Sequence, residues 1–228
     1  MILSYKDINE IANNIIKRYE SLIGKEIDRV NIVDLLSRLY EVDVDYYALS
    51  KNHEILGLAS PKDITVEVYK NEEPILVQIG MHLVLVDSSL LDSNLIGRKN
   101  FTIAHEGAHQ ILFRMETNKT NLSLRTTYKS VTEHRLVTKN DWEEWQANTL
   151  ASCLLLPEKQ VRRVFWMMFS ETYINSIHPV NKKNYIPFVA MAAYFGVSKE
   201  ALAIRLRQLK LIGVYMPENP LSIYQEVS

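Results

Sequence analysis

The sequence predicts an α+β fold that is mostly helical, with a small, largely antiparallel sheet and a C-terminal helix pair shaped like a helix-turn-helix. Two observations predict it. Apolar residues recur at helical spacing in both halves of the chain, whereas β-branched and alternating runs concentrate in residues 55–87. With 228 residues, 47% of them hydrophobic, the chain is long enough to bury one sizeable core.

Charge and cysteine content exclude several classes of function. A formal net charge of −1 gives no global reason to expect nucleic acid, an anionic membrane or a polyacidic partner. The single cysteine, Cys153, excludes an internal disulfide framework. No apolar run approaches the roughly 18 residues of a membrane-spanning helix, and the first ten residues do not resemble a signal peptide. We therefore expect a cytoplasmic protein with no membrane partner.

The first half of the chain is predicted to contain two helices followed by strands. Ser4 and Asp7 form a capping pattern for a helix over residues 4–23, and Asn31 can cap a second helix, Ile32–Tyr40. The segment "VDVDYYAL" alternates like a strand. The runs "ITVEVYK", "PILVQI" and "MHLVLVD" then predict three or four strands, which we expect to be antiparallel.

The second half is predicted to be helical apart from one long loop. Residues 116–140 are rich in Thr and Asn and have no clean period, which predicts a loop. Helices are expected over residues 98–115, 142–156, 158–170, 187–195 and 199–211. We expect two structural units, a main domain over residues 1–170 and a helical C-terminal segment over residues 171–228.

The segment "FTIAHEGAHQILF", residues 101–113, contains the residues that suggest chemistry. On a helix, His105 and His109 lie on one face and can direct both imidazoles at one point. Glu106 is offset by about 100° around the axis, so its carboxylate lies beside that point without being a ligand. Burying these groups in an apolar helix is costly unless they have a partner, such as a metal ion. The pattern therefore predicts a metal site with Glu106 as general base.

A third metal ligand must come from elsewhere in the chain. The metzincin pattern would need glycine and histidine where this sequence has Leu112 and Met115, which disfavours that class. The predicted helix "DWEEWQANTLASCLLLP" offers Glu144 as a ligand. Asn148, one turn later on the same face, is a candidate to hydrogen-bond a ligand histidine. Such a His/His/Glu set favours Zn²⁺, although Mn²⁺ can occupy similar sites.

The same acidic residues also have a purely structural explanation. Asp141 with Glu144, and Asn140 with Glu143, both match the capping-box pattern at a helix start. Glu143 is in addition the alternative to Glu144 as the third ligand. The sequence favours Glu144 because its helix would complete the site that the two histidines begin.

These segments resemble the ImmA/IrrE family of metallopeptidases, a cytosolic branch of the gluzincins. The matching pieces are "FTIAHEGAHQILF", "EWQANTLASCLLLP" and "FGVSKEALAIRLRQLKLI", and with the N-terminal helix and short sheet the resemblance covers most of the chain. Asn148 stands where many members have aspartate. The resemblance implies a zincin-like metallopeptidase domain, with zinc bound by His105, His109 and Glu144 and with Glu106 as general base and acid.

The resemblance also implies a substrate. Members carry out limited proteolysis of a helix-turn-helix transcriptional repressor in response to stress or mobile-element induction. Gluzincins usually add a His or Tyr that stabilises the oxyanion, and Tyr128, His134 and His178 are the candidates here. We expect "MHLVLVD" to be the strand that holds an extended substrate by edge pairing.

The C-terminal helix pair suggests rival functions. Gly196 marks a turn, Ser198 can cap the following helix, and residues 198–210 have a net charge of +3. The cations are Lys199, Arg205, Arg207 and Lys210. DNA binding is therefore conceivable, but a packing unit with a solvated basic face is favoured. The alternatives to a peptidase are a metal-binding regulator that does not cleave and a module that binds DNA or a repressor.

Overall fold

The structure, a computed structural model, describes residues 2–116 and 139–215, with residues 139 and 140 described by their backbone only. Within these ranges the chain forms seven α-helices and seven short β-strands, which confirms a mostly helical α+β fold. The helices are α1 Tyr5–Ile23, α2 Ile32–Tyr40, α3 Ile96–Glu116, α4 Lys139–Leu155, α5 Glu158–Phe169, α6 Lys182–Phe195 and α7 Lys199–Gln208. The strands are β1 Asp43–Tyr47, β2 Gly57–Ala59, β3 Ile64–Lys70, β4 Glu73–Ile79, β5 Leu83–Asp87, β6 Ile174–Ile177 and β7 Ile212–Tyr215.

The two N-terminal helices begin where the capping residues predict. Ser4 and Asp7 form a reciprocal capping box at the start of α1, which ends at Gly24 in a left-handed conformation. Asn31 accepts a hydrogen bond from the backbone of Asp34 at the start of α2. Local hydrogen bonding is sufficient to set these boundaries.

The strands form three small sheets. The main sheet has the order β1-β5-β2, with β1 parallel and β2 antiparallel to β5. The hairpin β3-β4 is antiparallel, and β6 pairs with β7 in parallel. The antiparallel arrangement expected for residues 55–87 is confirmed, whereas the two parallel pairs join segments that are distant in sequence.

The prediction that "MHLVLVD" forms a substrate-binding edge is wrong. This segment contains β5, which is the central strand and pairs on both sides. Four of its five residues are buried, as is typical of a strand covered on both faces. The strand at the edge of this sheet beside α3 is β2.

One main hydrophobic cluster surrounds α3 and α4. Helix α4 packs against both α1 and α3, and the same cluster continues into α6 and α7 through residues such as Phe188 and Leu206. A second, small cluster lies between β5 and the β3-β4 hairpin. The division of the chain at residue 170 stays a prediction.

The C-terminal region differs from prediction in its boundaries. Helix α6 begins at Lys182 instead of at Pro187, and it continues through that proline. Helix α7 ends at Gln208, after which the chain forms β7 against β6, a pair of four-residue strands that the sequence pattern did not indicate. Among the described helices no single one is long and apolar enough to cross a membrane, and α6 with α7, bent by 101°, meets that length and composition test only as a pair.

Candidate metal centre

Helix α3 presents two adjacent faces to two different neighbours. His105 and His109, four residues apart, lie against Glu144 of α4. Glu106 and Gln110, also four residues apart, lie against the segment that contains β2. Because 3.6 residues make one turn, the offset of one position separates the two faces by about 100°.

Three side chains from α3 and α4 form a group that can hold a metal ion. The Nε2 atoms of His105 and His109 lie 3.1 Å apart. They lie 3.3 Å from Oε2 and 3.5 Å from Oε1 of Glu144, respectively. All three residues are buried, and their ligand atoms lie within 4.8 Å of one another.

The hydrogen bonding of this group fits a cation. His105 Nδ1 lies 3.0 Å from Asn148 Oδ1, and because that oxygen only accepts, Nδ1 donates and Nε2 keeps its lone pair toward Glu144. Glu144 Oε2 is buried and has no hydrogen-bond partner in the described part of the chain. A buried carboxylate oxygen without a donor is costly, and a metal ion between Glu144 and the two imidazoles would satisfy it.

The carboxyl groups of Glu144 and Glu106 have shifted pKa values in opposite directions. Burial raises the pKa of Glu144, but hydrogen bonds and positive charge from His105 and His109, when these imidazoles are protonated, outweigh burial and lower it to about 2. Burial, with a smaller contribution from Glu144, raises the pKa of Glu106 to about 7 despite the opposing effect of His105. One carboxyl therefore stays ionised, as a ligand must, while the other titrates in the range used by general acids and bases.

Two alternatives from the sequence concern the residues just before Glu144: Glu143 as the third metal ligand, and Asn140 or Asp141 as helix caps. Helix α4 begins at Lys139, so Asn140 and Asp141 lie inside the helix and are not its caps. The Glu144 side chain lies with the two histidines, and Glu143 is outside the group that could hold a metal. The capping-box explanation for Glu144 is therefore wrong, because Asp141 already lies inside the helix and is not its N-cap.

The three candidates for an oxyanion-stabilising residue remain unassigned. Tyr128 and His134, like most of the predicted loop over residues 116–140, lie outside the described residues. His178 follows β6, where its Nδ1 accepts a hydrogen bond from the backbone N–H of Val180. That contact is local and does not involve the metal centre.

Two residues near Glu106 were not identified from the sequence. Gly57, at the start of β2, lies directly against the Glu106 side chain, and Gln110 donates to the carbonyl of Ser60 at the other end of β2. A glycine in a strand pattern indicates a close approach of the backbone to a neighbour. Gln110 follows Glu106 by four residues, which is the spacing of one helix face.

The basic charge of α7 is less exposed than its sequence indicates. Arg205 is fully buried, and it donates to the carbonyl of Leu156 at 2.9 Å and to the side chains of Tyr5 and Asn9. A buried guanidinium cannot reach a phosphate of DNA. Arg205 therefore joins α7 to α1 and to the end of α4.

The chain matches a known protein family. A family model described as Peptidase_M78, IrrE N-terminal-like domain, matches residues 92–207, which contain both helices of the metal centre. No curated protein matches the sequence. A solved structure described as a Mycobacterium tuberculosis transcriptional regulator is 14% identical, with a TM-score of 0.44. The match covers 88% of this chain and 46% of that one, so this chain spans about half of the regulator's length.

Proposed function

The chain belongs to the Peptidase_M78 family, and we propose that it is a zinc-dependent endopeptidase whose metal ligands are His105, His109 and Glu144. The convergence of these side chains from α3 and α4 carries the proposal. Both oxygens of the Glu144 carboxylate lie within 3.5 Å of an imidazole Nε2, and Oε2 lacks a hydrogen-bond partner within the described ranges. A purely structural carboxylate would be paired with donors.

Each residue of the site has a distinct role in this proposal. Bound zinc would supply a Lewis acid that activates a water molecule and polarises a carbonyl group. Asn148 orients His105 through Nδ1, so that Nε2 faces the metal position. Glu106 takes a proton from the attacking water and passes it to the leaving amine. The burial of Glu106 supports this role, because it raises the pKa of the carboxyl to about 7.

The open edge of β2 is the place for an extended substrate. The N–H of Asp87 donates to the carbonyl of Leu56 at 2.9 Å, so these residues form a hydrogen-bonded pair of the antiparallel ladder. Such pairs alternate, and the backbone groups of Gly57 and Ala59 therefore point away from β5. A substrate strand that paired with them would lie beside Glu106.

The proposed substrate is a helix-turn-helix transcriptional repressor in the cytoplasm. The resemblance of the site segments to the ImmA/IrrE family supports this proposal. DNA binding by α7 is not favoured, because Arg205 is inside the protein. A regulator that binds metal or a repressor without cleavage is the alternative that an experiment must separate.

The test combines metal analysis with cleavage of such a repressor. Zinc-loaded wild-type protein should cut the repressor into fragments that mass spectrometry identifies. Glu106→Gln should keep stoichiometric zinc and lose at least about 100-fold in kcat/KM, because general base catalysis contributes at least that much. Glu143→Gln, on the same chain but outside the metal group, is the matched control and should cleave normally.

Two results would contradict the proposal. Undiminished cleavage by Glu106→Gln would remove Glu106 from the mechanism. A zinc-loaded wild type that leaves the repressor intact after long incubation, yet binds it, would favour the non-cleaving regulator.

A further inference from the structure

The side chain of Glu106 occupies the space that a side chain on Gly57 would need. A Cβ atom built on Gly57 would lie 2.7 Å from both Cγ and Oε1 of Glu106. It would also lie 2.7 Å from Cγ2 of Thr102, one helical turn before Glu106. Real Cβ atoms essentially never approach other heavy atoms within 3.0 Å. The Glu106 carboxylate can therefore lie where it does only because residue 57 has no side chain.

The backbone conformation of Gly57 does not require glycine. Its φ angle is not in the left-handed region, in contrast to Gly24 and Gly196. An alanine at this position would thus have no backbone strain from a positive φ. Lack of a side chain, and not conformational freedom, is the property of glycine that the site uses.

Strand β2 is held in place along one edge and at its C-terminal end. It pairs with β5 along its length, with Leu58 opposite Leu85. At its C-terminal end the buried Gln110 of α3 donates to the carbonyls of Ser60 at 3.2 Å and Gly80 at 3.0 Å. Movement of β2 would disturb these hydrogen bonds, so we expect a new side chain at residue 57 to displace the Glu106 side chain.

We propose that Gly57 is a positioning residue for Glu106, whose carboxylate it holds against β2 beside the metal ligands by leaving room for it. The inference rests on the proposed function, because the position of Glu106 matters for proton transfer. It adds a requirement on β2, which would both pair with substrate along its open edge and fix the general base on its inner side.

The direct test is Gly57→Ala in the full chain. We expect kcat for repressor cleavage to fall by about 10- to 100-fold, since a displacement of about 1 Å can cost that much. KM should change less than kcat, because the added methyl group points toward α3 and not along the strand edge. Zinc affinity, measured by competition with a chelator, should stay at the wild-type value, because the metal ligands lie on the other face of α3. A crystal structure of the variant should show the Glu106 carboxylate displaced.

A second variant tests the steric cause. Thr102→Ser removes Cγ2, one of the atoms that the new Cβ would meet. Gly57→Ala combined with Thr102→Ser should therefore recover part of the lost kcat, relative to Thr102→Ser alone. Gly24→Ala is the matched control, since it has a positive φ of 71° and no heavy atom near the added Cβ. It should lower stability without lowering kcat, which separates loss of fold from loss of position.

The outcomes distinguish this inference from the proposed function. Gly57→Ala with normal kcat, or with Glu106 unmoved in its crystal structure, would overturn the positioning role while leaving the peptidase proposal intact. A wild type that binds zinc and cleaves nothing would refute the peptidase proposal instead, and the displacement of Glu106 would still be visible crystallographically. If Gly57→Ala alone does not fold, the variant that also carries Thr102→Ser is tested in the same way, by its kcat and by the position of Glu106 in its crystal structure.

Discussion

Asp87 and Glu144 are buried carboxylates that each lie within 3.5 Å of a histidine nitrogen, but their surroundings differ. Asp87, at the end of β5, is fully buried and accepts hydrogen bonds from three residues. The donors are the backbone N–H of Leu49 at 2.8 Å, the backbone N–H of Ser89 at 2.9 Å and Nδ1 of His53 at 2.7 Å. Both oxygens of the Asp87 carboxylate therefore have a donor.

Glu144 has the opposite arrangement. It faces His105 and His109, and its Oε2 has no hydrogen-bond partner in the part of the chain that the structure describes. Because Nδ1 of His105 donates its hydrogen bond to Asn148, Nε2 of the neutral imidazole directs a lone pair toward Glu144. Proximity of histidine and carboxylate therefore does not define a metal site. What distinguishes Glu144 is a buried oxygen that faces two imidazoles and has no donor among the described residues.

Removal of the Glu144 carboxylate tests its role as a metal ligand and should change zinc binding more than the other substitutions. Glu144→Ala should weaken zinc binding by more than about 100-fold, because even residues that only support a ligand contribute 10- to 100-fold. Glu143→Ala is the matched control and should bind zinc with wild-type affinity. Metal analysis of freshly purified protein, with chelator competition, makes the measurement. Wild-type zinc affinity in Glu144→Ala would show that Glu144 is not a metal ligand. Manganese in place of zinc in the purified wild type would show that the native metal is Mn²⁺.

A smaller effect tests the orientation of His105. Asn148→Ala should weaken zinc binding by about 10- to 100-fold, since the imidazole loses the acceptor that fixes its tautomer. Thr149→Ala is the control on the same helix, because its hydroxyl donates to the carbonyl of Trp145, one turn earlier, and not to a metal ligand. Equal zinc affinity in Asn148→Ala and Thr149→Ala would mean that the hydrogen bond from His105 to Asn148 does not orient His105 for metal binding.

The smallest effect concerns Asp87 and should appear in stability instead of metal binding. Asp87→Ala should lower the free energy of unfolding by about 1–3 kcal/mol at pH 7, because it leaves the buried N–H of Leu49 without an acceptor. Zinc affinity should not change. Denaturant unfolding gives the measurement, and Asp92→Ala, which removes an exposed cap on Asn94, is the control and should lose less.

The stability effect of Asp87 should depend on pH. Burial would raise the pKa of Asp87, but the hydrogen bonds from Ser89, Leu49 and His53 outweigh it and hold the pKa below its usual value. A carboxyl with a lowered folded-state pKa contributes its full stability above the unfolded value of about 3.9 and loses it as the pH falls. The stability difference between wild type and Asp87→Ala should therefore shrink below about pH 4. A constant difference down to pH 3 would contradict this assignment.

Much of the fold was predictable wherever local chemistry sets it. The capping box at Ser4 and the Asn31 cap define the starts of α1 and α2 through hydrogen bonds within a few residues. The pairing of β1 with β5 was not predictable, because it joins strands separated by the whole β2–β4 segment. The short strands β6 and β7 were missed for the same reason, since each is stabilised by a partner far away in sequence.

The candidate site divides in the same way. The residue pattern alone predicts that His105 and His109 share one face of a helix and that Glu106 lies beside them, because helical geometry fixes the directions of residues one and four apart. It proposed Glu144 and Asn148 but could not decide against Glu143. Only the tertiary structure brought Glu144 onto the histidines, set Gly57 against Glu106 and buried Arg205, because such contacts depend on how helices and strands pack across long sequence separations.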